Sequence, residues 1–221
     1  MSSAVIQETS PARALLPKLG SLLAVAPLSV WTAWHLWENL SAWQGATVWE
    51  SRVTEPGNPV ASALTSLIVF GPLFVHILWG LRRLKMTRAN AYPFFGNLKY
   101  VLQRLSALGL LAFIAAHVYL ARIAPALRNP NGHEDFGDLA AHMRHHPPTL
   151  IVYILGVLGT AYHLANGVYT ASFVHGLAAS PKASRRMQVI SVLLLIALLG
   201  FGWGAVAGLY TAGADFPAPV D

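Results

Sequence analysis

The chain has no cysteine among its 221 residues. This absence excludes disulfide bonds, thiolate metal ligands, iron–sulfur clusters held by the chain itself and covalent c-type haem attachment. Charged residues are also scarce, at 11%, where a soluble domain of this size has about 25%. Because 55% of the residues are hydrophobic, we predict a membrane protein. The net charge of +6 does not indicate binding to nucleic acid, because the basic residues lie between apolar runs and form no single patch.

Five apolar runs are long enough for a helix of about 20 residues, the length that crosses a bilayer. They lie near 19–41, 60–81, 100–122, 148–177 and 187–211. The first run is too long for the apolar part of a cleavable signal peptide, and no small-x-small cleavage site follows it, so we interpret it as a retained helix. The predicted fold class is an all-α membrane protein with five transmembrane helices.

The distribution of basic residues predicts how these helices are oriented. Basic side chains precede the first run and are concentrated between runs two and three and between runs four and five, whereas the other loops are acidic or mixed. The positive-inside rule then places the N-terminus in the cytoplasm and the C-terminus outside. We divide the chain into a cytoplasmic N-terminal segment (1–18), a membrane domain (19–211) and a short exposed C-terminal tail (212–221).

Four of the predicted membrane helices each carry one histidine at a similar depth. These residues are His35, His76, His117 and His163. Each lies 17 or 18 residues beyond the position at which its helix enters the membrane, which corresponds to roughly 25 Å of helix. Because successive helices enter from opposite sides, His35 and His117 lie near the outer face, and His76 and His163 near the inner face. The count therefore predicts two histidine pairs at two depths.

Two facing imidazoles at one depth in a helical bundle are typical of the axial ligands of a haem iron. Small residues favour close approach of a porphyrin to a helix, and Gly156, Gly159 and Gly167 share a face with His163. We therefore predict two haem b groups, with the first four helices forming the haem-binding bundle and the four histidines as the ligands of the iron.

Three further residues belong to this prediction. Ser106 shares the face of His117, and Thr65 shares the face of His76. Arg83 lies two turns beyond His76 and is a candidate partner for a haem propionate, although the positive-inside rule explains it equally well.

Other interpretations of the four histidines are a packing role or a proton relay, either of which suits a single intramembrane histidine. A transition-metal site is less favoured, because no carboxylate accompanies the histidines at depth. The remaining histidines are His133, His142, His145, His146 and His175. We interpret the first four as solvated residues in or beside an outer loop, with a role in proton uptake or at a quinone as the alternative. The last is predicted to be interfacial, near the cytoplasm.

Three stretches resemble the five-helix, dihaem cytochrome b subunit of the succinate dehydrogenase/fumarate reductase family. "GPLFVHILWGL" is similar to the second helix of that family, and "YVLQRLSALGLLAFIAAHVY" to the third. "YILGVLGTAYHLANGVYTASFVHGLAASPKASRR" is similar to the fourth helix and the loop after it. The likeness covers most of 25–210, and its more specific features are the pair Gln103-Arg104 and the His-x-x-Asn-Gly string. The first helix matches chiefly at His35 and Asn39.

The resemblance implies that His35 and His117 ligate the haem far from the catalytic subunits, and that His76 and His163 ligate the near one. It implies a flavoprotein subunit and an iron–sulfur subunit on the cytoplasmic face, a quinone, with menaquinone expected, and a bacterial inner membrane. Some fumarate-reducing members carry an acid two residues before the fourth ligand. Ala161 stands there in this chain, so a proton path of that kind is not expected.

These features predict an electron-carrying membrane anchor that passes electrons from the iron–sulfur subunit through the inner and outer haems to quinone. The chain has no predicted site for succinate, so its enzymatic role is that of the quinone-reactive subunit. Glu50 and Glu55 are the acids nearest the outer edge and are candidates for proton exchange with a quinol, against the alternative of ordinary solvated loop positions.

Two other functions compete with this one. A dihaem anchor of a hydrogenase or formate dehydrogenase also places paired histidines in helices, but the Gln-Arg and His-x-x-Asn-Gly strings disfavour it. A transporter would use the histidines to move protons. The sequence leaves the formation of a higher-order oligomer open.

Overall fold

The computed structural model describes residues 18–22, 24–54, 58–85, 95–128 and 132–219. This part of the chain is almost entirely helical and contains no strand, which confirms the all-α prediction. Its α-helices are α1 (Ser29–Asn39), α2 (Ala46–Val53), α3 (Pro59–Lys85), α4 (Phe95–Val118), α5 (Ala124–Arg128), α6 (Phe136–His145), α7 (Pro147–Val174) and α8 (Pro181–Ala212). Two π-helical segments, Ala24–Leu28 and Tyr119–Ile123, and two 3-10 segments, Leu40–Gln44 and Gly213–Asp215, extend these helices.

Within the described residues, five helical stretches are long and apolar enough to cross a membrane, as predicted. They are Lys18–Gln44, Ser62–Leu84, Leu98–Arg128, Pro147–Val174 and Pro181–Asp215. The fifth begins earlier than the predicted residue 187, because the Ser180 side chain accepts a hydrogen bond from the Ala183 N–H and Pro181 occupies the first turn. Capping sets the start of this helix, whereas hydropathy marks only its apolar part.

Helix α7 has well-defined ends. Pro147 lies in its first turn, where the missing N–H costs no helical hydrogen bond. At the other end, Gly176 adopts a φ of +75°, and the Leu177 N–H donates to the Ser172 carbonyl over 2.8 Å. This is a Schellman arrangement, which favours glycine because the left-handed conformation is costly for other residues. His175 therefore lies just beyond the last turn of the helix.

The two ends of the helical bundle are named here after Lys18 and Trp49. At the Lys18 end, the Ser21 hydroxyl lies 2.9 Å from Nε2 of His175, so the start of the first spanning stretch meets the end of α7. At the Trp49 end, the short helix α6 lies against α7 and α8, and the short helix α2 lies against α1 and α6. Helix α8, which carries none of the four membrane histidines, packs against α1 and α7.

A small hydrophobic core closes the Trp49 end. Trp49 and Phe136 are almost fully buried, and their rings meet edge to face with centroids 5.5 Å apart. Met143 completes this layer, which packs on α7 through Val157 and on α8 through Leu209. Burial of these apolar groups holds the two connecting segments against the spanning helices.

The C-terminal tail differs in part from the exposed segment predicted for 212–221. Asp215 is exposed, but Gly213 is buried and lies so close to the Ala140 carbonyl that a Cβ atom would not fit. The Phe216 ring packs against Phe136 with centroids 6.2 Å apart. The tail thus covers part of the apolar face of α6. Residues 1–17 and 220–221 lie outside the described residues. They include most of the predicted cytoplasmic segment and the end of the predicted tail.

The spanning helices expose apolar side chains to their surroundings. On α3, Leu64, Leu67 and Ile68 are exposed by 55%, 69% and 57%. Such a continuous apolar surface is unfavourable in water and is the surface that a lipid bilayer covers. Helix α3 packs mainly against the π-helical segment Ala24–Leu28.

Candidate functional site

The four membrane histidines lie in two pairs. His35 on α1 and His117 on α4 have ring centroids 6.0 Å apart, with their planes at 63°. His76 on α3 and His163 on α7 have centroids 6.1 Å apart, with their planes at 70°. We call these the Trp49-end pair and the Lys18-end pair. The structure therefore brings together the residues that the depth count paired.

Each pair offers two imidazoles, which are fewer protein ligands than a complete metal site needs. Within the described residues, no group of three or more His, Cys, Asp or Glu side chains could hold a metal ion. Zinc takes three or four ligands from the protein, whereas a haem iron needs only axial ligands from the chain. A metal lies about 2 Å from an imidazole nitrogen, and the ring centre lies roughly 1 Å behind that nitrogen, so two axial imidazoles have centroids about 6 Å apart. Both pairs fit this arrangement.

Aromatic side chains enclose the Trp49-end pair. The Trp31 ring stacks on His35 with centroids 4.8 Å apart, and the Phe113 ring stacks on His117 with centroids 5.6 Å apart. The Tyr153 hydroxyl lies 3.4 Å from Nδ1 of His117. This pair therefore has an apolar surround, with one polar group from α7 beside the His117 ring.

Asn39 connects the Trp49-end pair to the closing core. Its Nδ2 donates to the His35 carbonyl over 2.8 Å, and the Trp49 indole N–H donates to its Oδ1 over 3.2 Å. His35 and Asn39, the two residues at which the first helix resembles the family, are thus hydrogen-bonded to each other in the structure.

Polar side chains from α4 and α7 surround the His163 ring of the Lys18-end pair. Nε2 of Gln103 lies 3.2 Å from Nδ1 of His163, and the Ser106 hydroxyl lies 3.4 Å from the same nitrogen. Asn166 donates to Oε1 of Gln103 over 2.7 Å. Nδ1 of His76 is buried and has no hydrogen-bond partner within the described part of the chain. An unpartnered buried nitrogen is costly, which is consistent with a site built for a further group.

The three glycines of α7 that share the face of His163 have different surroundings. The Phe113 ring occupies the space beside Gly156, so this glycine serves the packing of α4 against α7. Gly159 has nothing within 4 Å of a built Cβ atom, and Gly167 has only Nε2 of Gln103, at 3.7 Å. A helical wheel shows on which face each glycine lies, but not which side chain of the neighbouring helix occupies the space beside it.

Ser106 lies at the level of the other histidine pair. Its hydroxyl is beside His163 of α7, whereas His117, on the same face of α4, contacts Tyr153 of α7. Thr65 is exposed on α3. A shared helix face therefore does not mean a shared level in the bundle.

The predicted charged candidates have different surroundings. Oε1 of Glu50 accepts a hydrogen bond from the Phe136 N–H over 3.0 Å, so this carboxylate holds the first turn of α6 against α2. Glu55 lies outside the described residues. Arg83 is exposed on α3, with its guanidinium carbon 5.9 Å from the Trp79 ring centroid.

Glu134 is an acid that the sequence analysis did not single out. Burial, together with the nearby carboxylate of Asp138, raises the pKa of Glu134 to about 7. Its carboxyl group also interacts electrostatically with Tyr153, which contacts His117. No local signal distinguishes it in the sequence, because Glu134 stands beside Asp135 in a polar connection and is half-buried only in the folded chain.

His142, His145 and His175 lie away from the two pairs and make polar contacts near the ends of the bundle. His142 contacts the Asp138 carbonyl of its own helix, and Nε2 of His145 lies 3.1 Å from the Phe216 carbonyl. Both are exposed, as is His175, which contacts Ser21 at the Lys18 end. On α7 it is His163, and not His175, that lies beside His76.

The chain is similar to a known protein family and to a known protein. Residues 93–202 match a family model described as the succinate dehydrogenase/fumarate reductase transmembrane subunit. The chain is also 31% identical, over 192 residues, to the succinate dehydrogenase cytochrome b558 subunit of Bacillus subtilis (strain 168). That alignment covers 86% of this chain and 93% of the Bacillus protein.

Proposed function

The chain belongs to the family of transmembrane cytochrome b subunits of succinate dehydrogenase/fumarate reductase, and we propose that it carries electrons between the iron–sulfur subunit of such a complex and a quinone in the membrane. The observation that carries this proposal is the pairing of four histidines at two levels of one helical bundle. Membership in this family does not favour the alternative of an anchor for a hydrogenase or formate dehydrogenase.

A cytochrome b family implies haem b. We propose two haems, one held by His35 and His117 and the other by His76 and His163. Bound there, haem supplies reversible one-electron transfer, the chemistry that the chain's own side chains lack. The donor set supports this assignment, since each pair offers two imidazoles and no carboxylate.

The protein's own contribution is to position the imidazoles and to exclude water. Trp31 and Phe113 stack on the Trp49-end pair and keep the surround apolar. Tyr153 contacts His117 and restrains the orientation of its ring. Partners of this kind orient ligands and tune the site, and their loss typically lowers metal affinity or activity about 10–100-fold.

The Lys18 end is the proposed cytoplasmic face, where the flavoprotein and iron–sulfur subunits bind. Its support is the concentration of basic residues at the starts of the first, third and fifth spanning stretches and at the end of the second. These residues include Lys18, Arg82, Arg83, Lys99, Lys182, Arg185 and Arg186. The positive-inside rule then places the Trp49 end on the outer side of a bacterial inner membrane.

The Trp49 end is the proposed quinone side, with menaquinone as the expected quinone. Glu134 is the better-supported candidate for proton exchange there, because a group exchanges protons most effectively when its pKa is near the working pH. Glu50 is less suited, since its carboxylate already holds the Phe136 N–H. Glu55 stays a sequence-based prediction.

The test is to purify the complex with its soluble subunits and measure haem and electron transfer together. We expect two b haems per copy of this chain, all released by acid–acetone, and reduction of both by succinate in the presence of the partner subunits. One haem per chain, or none, would contradict the assignment of two pairs. A preparation with two haems that transfers no electrons to any quinone would contradict the proposed role.

A further inference from the structure

We infer that Gln103 and Asn166 are positioning residues that hold His163 against α4, where the main-chain carbonyl of Gln103 and the Ser106 hydroxyl can accept the Nδ1 proton, which leaves the lone pair of Nε2 free for a metal. This inference rests on the proposed function, in which His163 is an axial ligand. It assigns a positioning role to two residues that would contact neither the iron nor a substrate.

Side chains and main-chain carbonyls of Gln103, His163 and Asn166 are joined by hydrogen bonds between α4 and α7. Asn166 Nδ2 donates to Gln103 Oε1 over 2.7 Å, and Gln103 Nε2 donates to the main-chain carbonyl of His163 over 3.1 Å. The main-chain carbonyl of Gln103, in turn, lies 3.3 Å from Nδ1 of His163. Asn166 is only 8% exposed, so water cannot readily replace these bonds. Their loss would leave buried polar groups without partners.

The network also decides the orientation of the Gln103 amide. Because the main-chain carbonyl of His163 can only accept, the Gln103 atom that faces it is the NH₂ group. The other end of the amide is therefore the oxygen, which accepts from Nδ2 of Asn166. The His163 backbone and side chain are thus both held by one residue of α4.

The proton on the His163 ring follows from the same contacts. Nδ1 either accepts from Gln103 Nε2, at 3.2 Å, or donates to the main-chain carbonyl of Gln103, at 3.3 Å, and it cannot do both. A metal-bound histidine almost always donates its second N–H to a carbonyl, carboxylate or water. Ser106 donates to the main-chain carbonyl of Gln103 over 3.1 Å and leaves its own lone pairs for the Nδ1 proton. With Nδ1 as the donor, Gln103 Nε2 donates to the His163 main-chain carbonyl alone, and Nε2 of His163 carries no proton.

The spacing in the sequence has a physical reason under this inference. His163 and Asn166 are three residues apart on α7, so both face the same neighbouring helix. One glutamine on that helix can then bridge them. A purely structural role, in which the bonds only join α4 to α7, makes a different prediction, because it leaves the properties of a bound haem unchanged.

The experiment compares variants of the intact complex by haem content, electron paramagnetic resonance and redox titration of each haem. We expect Gln103→Met and Asn166→Leu to weaken retention of one haem about 10–100-fold, and to shift the resonance and midpoint potential of that haem alone. Asn39→Leu is the matched control, because Asn39 donates to the carbonyl of His35. It should alter the other haem and leave this one unchanged.

Gln103→Glu keeps the acceptor for Asn166 and nearly the same volume, so it tests the inference even if the methionine variant assembles poorly. A carboxylate beside the Nδ1 proton makes the imidazole a stronger ligand, so the midpoint potential of the same haem should fall. Unchanged resonances and potentials in Gln103→Met and Gln103→Glu would overturn the inference, whether or not thermal stability fell. If His163→Ala kept both haems in the same preparation, the proposed function itself would fail.

Discussion

The Tyr153 hydroxyl of α7 lies 3.4 Å from Nδ1 of His117, which belongs to α4. The same helix α7 carries His163, whose ring contacts Gln103 of α4. Two helices therefore hold one histidine of each pair and also supply the polar partner of that histidine. A substitution at Tyr153 or at Gln103 should therefore affect one histidine pair, and the other pair in the same protein serves as the internal control.

Tyr153→Phe should change the Trp49-end haem and spare the other. The substitution removes the hydroxyl beside Nδ1 of His117 and keeps the ring that packs against Phe113. We expect both haems to be retained, with a shifted midpoint potential for one of them, because a lost partner changes the basicity of the ligand. Redox titration of both haems is the measurement. An equal shift in both, or in neither, would contradict a specific contact with His117.

Stability should depend on pH through Glu134. Its pKa is raised from 4.5 to about 7, so the folded state binds this proton more tightly than the unfolded state. The contribution of Glu134 to stability is therefore complete below about pH 4.5 and is lost as the pH rises to about 7. Glu134→Gln should flatten this part of the stability curve, measured by thermal unfolding of the detergent-solubilised complex.

Asp138→Asn provides the control for this titration. The carboxylate of Asp138 contributes to the raised pKa of Glu134, so its removal should lower that pKa and reduce the loss of stability between about pH 4.5 and 7. A pH profile of Glu134→Gln that is parallel to that of the unchanged protein would show that other groups dominate this range.

Two substitutions at Glu50 separate a structural role from proton exchange. Glu50→Gln retains an oxygen that can accept from the Phe136 N–H, so thermal stability and quinone reduction should both stay near their original values. Glu50→Ala removes the acceptor and should cost about 1–3 kcal/mol of stability. If Glu50→Gln instead abolished quinone reduction at unchanged stability and haem content, proton exchange by Glu50 would be the better explanation.

His163→Ala and His175→Ala test which histidine of α7 serves the Lys18-end pair. His163 lies 6.1 Å from His76 between ring centroids, whereas His175 contacts Ser21 beyond the end of the helix. We expect His163→Ala to lose one haem and to weaken assembly with the soluble subunits, while His175→Ala keeps both. Haem per chain, measured after purification through a tag on a soluble subunit, decides between them. The reverse result would show that the pairing of rings does not mark the ligands.

The sequence by itself determined the five spanning helices and the pairing of the four histidines. Hydropathy is a property of each segment alone, and depth along a helix follows from its rise per residue. Neither quantity depends on how the helices pack. The same reasoning placed His163 at the right level and His175 near the end of its helix.

Only the tertiary structure decided which side chains meet between helices. Tyr153 and His117, Gln103 and His163, and Glu50 and Phe136 are 36, 60 and 86 residues apart in the sequence. Such contacts depend on the rotation of each helix about its axis and on the packing of the connecting segments, neither of which hydropathy records. For the same reason the sequence gave no sign that Ser106 lies beside His163, or that Phe136 is buried with Phe216 packed against it.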